Sequence, residues 1–407
     1  MMLEKTWRWF GFNDPITLDN LVQMGVEGVV TALHHLPIGV VWEKDEILKV
    51  KNAIEAKGLR WSVVESLPVS EAIKTCSAER DLHIENYKKS LQNLGECGID
   101  TVCYNFMPVL DWSRTSLTYK HPGGGEGLYF DFTTFVAWDC YILCRPNAEN
   151  EYPAEVVAKA KELFKTFSKE KCEELTYIII VLTQGFVNGV IDGTVKDPKA
   201  LFLKYISTYK DIDKEKLRAN MKRFLDDVIP TCEKYNVNLC VHPDDPPYPV
   251  LGMPRIIGCM EDLEWLRKAN PSLRNGITYC TGSLSGRPDN DLVAIAERFA
   301  DAIHFVHLRN TQHLDDFSFY ESGHLKGSLD MPAIVEALLK EQQRRIKEGR
   351  KDIRMPFRPD HGIRILNDLD ADKNIYNAGY PLCGRMRGLA EIAGLMTGIE
   401  YEMTKKK

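Results

Sequence analysis

Eight short runs of β-branched and aromatic residues, each ending abruptly in polar or charged residues, limit what this chain can fold into. They are Trp7–Gly11, Gly28–Leu33, Trp61–Glu65, Thr101–Phe106, Leu239–His242, Ile277–Cys280, Ile303–His307 and Met355–Asp360. Between most of them, apolar residues recur at helical spacing. Ile47, Val50 and Ile54 do so before a stop at Gly58, and Ile84, Tyr87, Leu91 and Leu94 before one at Gly95. Leu217, Met221, Phe224, Val228 and Cys232 repeat the pattern ahead of the Leu239 run. Asp330 is placed as a helix N-cap, with Pro332 in the first turn and Gly349 closing the helix. Strands that alternate with helices make a parallel sheet with helices on its faces. Eight such units favour a closed α/β barrel, (β/α)8, over an open doubly wound sheet. An open sheet would carry a glycine fingerprint after an early strand. The glycine-rich stretch His121–Gly127 does not lead from a strand into a helix and reads as a flexible loop.

The alternation breaks once. Roughly 130 residues separate the fourth and fifth strand candidates, far more than a crossover helix requires. Val156, Ala160, Leu163 and Phe167 look helical there, and Tyr177–Val190 is apolar enough to be buried. The expectation is one barrel domain over 1–407, with 125–235 forming a helical insertion plus the barrel helix after it. Lys405–Lys407 reads as a solvated end.

Composition narrows the partners. With 44 % hydrophobic and 27 % charged residues, the chain has an ordinary soluble, globular make-up. Lys and Arg number 52 against 58 Asp and Glu, a net charge of −6, so no basic surface for nucleic acid or an anionic membrane is expected. The apolar run Tyr177–Leu182 is too short to span a bilayer. Glu4, Lys5 and Arg8 interrupt the N-terminus, which shows no secretory signal. Eleven cysteines without CxxC pairs read as reduced thiols in a cytoplasmic protein. The apolar insertion makes self-association, as a homo-oligomer and most simply a dimer, the expected state.

In a barrel of this kind, chemistry sits where strands end and loops begin. The last four strand candidates end in His242, Cys280, His307 and Asp360. Singly, each has an ordinary explanation: a satisfied polar group, a small apolar filler, a turn residue. Jointly, on four consecutive strands, they point to one bound metal ion. Two imidazoles, a thiolate and a carboxylate suit a borderline divalent ion, and softness alone suggests Zn2+ or Fe2+. Four protein ligands close a tetrahedral site but leave two positions open on an octahedral ion. Beside them, His361 and the phenols Tyr376 and Tyr380 are suited to proton transfer. Arg309 falls on the same strand face as His307 and could grip a carboxylate, with Asn310 as a hydroxyl partner.

The motifs that carry these residues, His242–Pro247 (HPDDPP), Val306–Asn310 (VHLRN), Arg358–Gly362 (RPDHG) and Ala378–Tyr380 (AGY), resemble the mannonate dehydratase family. So do Trp7–Gly11 (WRWFG), His34–Gly39 (HHLPIG) and Tyr104–Thr115 (YNFMPVLDWSRT) in the N-terminal half. The resemblance implies a xylose isomerase-like TIM barrel that dehydrates D-mannonate to 2-keto-3-deoxy-D-gluconate in hexuronate catabolism. It implies Mn2+, or Fe2+ in some members, held by His242, Cys280, His307 and Asp360. It matches His361 and Tyr380 to catalytic proton transfer, with Tyr376 as the substitute for the latter, and Arg309 to catalysis and substrate contact. Asn310, and Asn105 and Arg8 within the N-terminal motifs, are further substrate-binding candidates. The competing function is a metal-dependent sugar isomerase or epimerase on the same scaffold.

Overall fold

The computed structural model describes residues 2–182, 191, 194–314, 317–370, 372 and 375–405. Its strands are β1 Glu4–Arg8, β2 Gly28–Thr31, β3 Arg60–Glu65, β4 Thr101–Tyr104, β5 Ser116–Lys120, β6 Glu126–Phe130, β7 Asn238–Val241, β8 Asn275–Cys280, β9 Ile303–Leu308, β10 Thr311–His313, β11 Phe319–Glu321 and β12 Pro356–Pro359. Eight of them close into a barrel in the order β1-β12-β9-β8-β7-β4-β3-β2, with parallel pairing throughout. Each of the eight corresponds to one of the apolar runs in the sequence.

The barrel is filled rather than hollow. Val30, Val63, Cys103, Cys240 and Phe305, from five different strands, form a separate cluster with no solvent exposure. Residues of the opposite strand parity, such as Val29, Val64, Val102 and Leu239, join the larger core under the helices. This two-sided burial is why the strands read as continuous apolar runs. The helix Lys44–Glu55 buries Ile47, Val50 and Ile54, as its periodicity predicts. Asp330 caps Met331–Lys347 by accepting from Ala333 N at 3.0 Å.

Four local expectations need correcting. The first strand runs over Glu4–Arg8, not Trp7–Gly11: its charged start is hidden from an apolar-run rule because Glu4 pairs with Arg354 at 2.7 Å and accepts from Ser62 Oγ at 2.6 Å. The helix Arg80–Glu96 continues through Gly95. There a Cβ would meet Tyr235 O at 2.6 Å, so glycine lets the helix Lys214–Tyr235 pack against it instead of ending it. Phe167 lies beyond the end of the helix Ala154–Phe164. The stretch His121–Gly127 is not a loose loop: it turns between β5 and β6, with His121 N donating to Gly125 O at 3.0 Å, and its last two residues belong to β6.

The long segment between β4 and β7 therefore opens with a hairpin before its helices Phe132–Ala137, Ala154–Phe164, Lys169–Thr176 and Pro198–Ser207. The hairpin joins a second sheet, ordered β10-β11-β6-β5, in which Phe319 pairs with Phe130 and Tyr320 with Tyr129. This small antiparallel sheet ties the loop after β4 to the loop after β9, at the C-terminal rim of the barrel. Of the apolar stretch Tyr177–Val190, residues 177–182 form a helix that buries Ile178–Val181; 183–190 lie outside the described residues, as do 406 and 407 of the lysine-rich end. Among the described residues, no helix is long and apolar enough to cross a membrane.

Candidate active site

Side chains at or just beyond seven strand ends converge on a cleft of about 550 Å³ at the C-terminal mouth of the barrel. Its walls include Arg8, His34, Glu65, Asn105, Asp111, His242, Asp245, Arg309, Arg358, Asp360, His361 and Tyr380.

His242 follows β7, Cys280 ends β8 and His307 lies within β9. One ligand atom from each lies within 4.8 Å of both others, and the two imidazole rings are 5.0 Å apart. His242 Nδ1 is 2.7 Å from Pro243 O, to which it can donate, leaving Nε2 to coordinate. His307 is wholly buried, yet among the described residues neither ring nitrogen has a hydrogen-bond partner; Glu65 Oε1 stands 3.6 Å from Nε2 as a longer ion-pair contact. A buried imidazole without a partner costs free energy unless something coordinates it. That orphaned ring, facing a thiol and a second imidazole, fits a divalent transition ion. Asp360, the fourth residue picked out from the sequence, is outside this group of three. Its Oδ2 lies 3.8 Å from Cys280 Sγ and 3.2 Å from Arg309 Nη1, while Oδ1 is held by Arg358.

Around these residues runs a buried lattice of four carboxylates and four guanidiniums. Arg358 grips Glu65 in a fork at 2.9 and 3.0 Å, and Arg8 reaches the same carboxylate at 3.1 Å. Arg309 contacts Asp245, Glu321 and Asp360, each at 3.2 Å. Arg114 holds Asp245 at 2.9 and 3.1 Å and reaches Glu321 at 3.4 Å. Burial alone would raise the carboxyl pKa values. The guanidiniums more than offset it, holding Glu65 and Asp360 well below the usual carboxylate range and lowering Asp245 and Glu321 as well. All four are therefore ionised at neutral pH.

The position of Arg309 depends on a glycine. A Cβ on Gly282 would meet Arg309 Nε at 1.9 Å, so the guanidinium lies directly against that backbone. Thr281 Oγ1 fixes the Arg309 main chain from both sides, accepting from its N at 2.9 Å and donating to its O at 2.6 Å.

His361 follows Asp360 on a turn with φ of +43°. Its Nδ1 is 3.0 Å from Glu321 Oε1, and its ring meets Tyr380 edge to face with centroids 5.2 Å apart. Burial pushes the Tyr380 phenol up to about 12, although Arg358 beside it pulls the other way. Of the two tyrosines considered, Tyr380 lines the cleft and Tyr376 does not.

Arg8, Asn105 and Arg309 also line the cleft. Asn310 does not: alternation turns it away, and its amide is spent on His324 O, Leu329 O and Leu329 N at 3.2–3.3 Å. The structure thus moves Asn310 from substrate contact to bracing the loop after β9. Sequence reasoning missed Glu65, Arg358, Asp245, Arg114 and Glu321. The strand-end rule could have found Glu65, which ends β3, and Arg358, two residues before Asp360. Glu321 had no local signal, because it reaches the mouth from the rim sheet.

The chain matches the family model described as D-mannonate dehydratase (UxuA) over residues 3–407. It is 46 % identical over 399 residues to a mannonate dehydratase of Chromohalobacter salexigens, spanning 98 % of this chain and 99 % of that one. A mannonate dehydratase of Marinomonas sp. is 47 % identical over 399 residues, with the same coverage. The crystal structure of mannonate dehydratase from Streptococcus suis serotype 2 matches with a TM-score of 0.76 at 32 % identity, covering 99 % of this chain and 95 % of that one.

Proposed function

The chain belongs to the mannonate dehydratase family, and from that premise we propose that the cleft removes water from D-mannonate to give 2-keto-3-deoxy-D-gluconate. The orphaned His307 imidazole beside Cys280 and His242 carries the reading, since it calls for a cation at the place where an acid sugar would react. His242, Cys280 and His307 would hold that cation, with Asp360 as the adjoining carboxylate; Mn2+ is the first candidate and Fe2+ the second. When bound, it supplies Lewis-acid polarisation of the substrate's carboxylate end, which makes the proton on carbon 2 removable.

The remaining work falls to side chains. Glu321, ionised, accepts a hydrogen bond from the Nδ1–H of His361, which keeps that proton on Nδ1 and leaves Nε2 as the base. Nε2 takes the proton from carbon 2, and that bond's electron pair forms the double bond between carbons 2 and 3. The bond from carbon 3 to its hydroxyl breaks as Tyr380, protonated across the neutral range, donates its phenolic proton, so the hydroxyl leaves as water. The resulting enol takes a proton at carbon 3 and loses one from its oxygen, giving the 2-keto-3-deoxy acid. Arg8 and Arg309, both on the cleft wall, would attract and orient the substrate carboxylate.

The eleven cysteines are all free, which supports a reducing, cytoplasmic setting. A homodimer is the assembly proposed here, and sedimentation equilibrium would test it. The deciding experiment for function incubates Mn2+-loaded protein with D-mannonate and assays for a 2-keto-3-deoxy acid. Formation of that product supports the reading. Inertness toward D-mannonate, with turnover of a neutral ketose or aldose, would replace it with the isomerase or epimerase alternative.

A further inference from the structure

The cleft extends past the reacting groups. On the side where β3 and β4 end, its wall is made by Lys74, Asn105, Met107 and Asp111. Asp111 is 5 % exposed, and the side-chain hydrogen bond to it comes from Asn105 Nδ2 at 3.3 Å, on Oδ2. Lys74, 2 % exposed, gives two of its three N–H bonds to Glu71 at 2.7 Å and Met107 O at 2.8 Å. Burial pushes the Asp111 carboxyl up, against the pull of Lys74 and Asn105. A carboxylate kept in such a wall, with acceptor capacity left over, gains from donors brought by a ligand.

The wall is also within reach of the reacting end. Trp112 follows Asp111 directly, and its ring lies 5.8 Å from that of His361. Asp111, His361 and Tyr380 line one continuous cleft of about 550 Å³, so a ligand lying in it can face the reacting groups and this wall together. An aldonate presents hydroxyls along its tail, and a carboxylate is the natural acceptor for them.

Resting on the functional reading above, we propose that Asp111, steadied by Asn105 and flanked by Lys74, forms the subsite that accepts hydrogen bonds from the hydroxyls on carbons 5 and 6 of the acid sugar. It makes Asp111 a specificity-determining residue for chain length, separate from the groups that move protons.

The test compares wild type with Asp111→Asn on two substrates. D-mannonate has the full tail. L-erythronate keeps the same configuration at carbons 2 and 3 but lacks carbons 5 and 6; where its turnover is too slow to follow, its inhibition constant against D-mannonate is measured instead. The expected result is a fall in kcat/KM for D-mannonate of about 10- to 100-fold, the range for a hydrogen bond to a charged group. The constants for L-erythronate should stay within about 2-fold of wild type, and bound Mn2+ should be unchanged. An equal fall on both substrates would show a structural role, and no fall on either would show no contact; each overturns the proposal. Wild-type protein that leaves D-mannonate untouched overturns the functional reading beneath it, which is a distinguishable outcome.

Discussion

Glu321 Oε1 and His361 Nδ1 lie 3.0 Å apart, both buried, although one belongs to the antiparallel rim sheet and the other follows a barrel strand. The pair couples the small sheet to the reacting end of the cleft. It fixes which imidazole nitrogen is free, because an ionised carboxylate on Nδ1 keeps the proton there. Replacing Glu321 with Gln keeps an acceptor oxygen but removes the charge that also balances Arg309 and Arg114. Steady-state kinetics should show kcat reduced by about 10- to 100-fold, the usual cost of losing an orienting partner. His361→Ala should cost more, about 10²- to 10⁴-fold, with metal content intact. Full turnover in His361→Ala would remove it from the mechanism.

Tyr380→Phe removes the phenolic proton and leaves the aromatic packing against Phe10 and His361 in place. We expect kcat to drop about 10²- to 10⁴-fold with little change in melting temperature. The same change at Tyr376, outside the cleft, should leave kcat within a factor of about 2. A reversed pattern would reassign the acid.

Metal removal should abolish turnover without unfolding the barrel, whose core is independent of the three ligands. Dialysis against a chelator followed by Mn2+ or Fe2+ titration should restore activity, and His307→Ala should bind neither ion at stoichiometric level by elemental analysis. Because His307 is entirely buried and has no hydrogen-bond partner among the described residues, this substitution should not lower stability in the apo form by more than its packing loss, about 1–3 kcal/mol.

Gly282→Ala puts a methyl group where Arg309 Nε now lies. The guanidinium must move away from Asp245, Glu321 or Asp360, so KM for the acid sugar should rise about 10-fold or more while far-UV circular dichroism stays unchanged. Unaltered KM would mean that Arg309 does not hold substrate.

His304 supplies a pH prediction away from the cleft. Burial, reinforced by Arg345, lowers its pKa from 6.5 to about 3. Between those values the unfolded chain binds a proton that the folded chain does not. Its contribution is therefore complete above pH 6.5 and declines as pH falls toward 3. Wild type should lose about 2 kcal/mol more than His304→Gln between pH 7 and pH 5, measured by urea unfolding.

The eight strands and their order in the chain were readable because two-sided burial writes a local pattern: each strand is a short apolar run, each covering helix a 3.6-residue repeat. The strand-end rule likewise singled out His242, Cys280 and His307, whose convergence follows from barrel closure once three adjacent strands each end in a metal-binding side chain. The rule does not reach Asn310, two residues past the end of β9, where the amide turns into the following loop instead of the cleft. It was blind to the charged start of β1, where Glu4 and Arg354 are 350 residues apart.

Local sequence thus determined the barrel and the side chains offered at its mouth. Tertiary structure alone decided which of them meet, which carboxylates Arg309 and Arg358 neutralise, and that Glu321 stands behind His361. The reason is physical: periodicity is set by neighbours along the chain, whereas charge pairing and proton placement are set by neighbours across space, and Glu321 reaches the mouth only because the rim sheet forms.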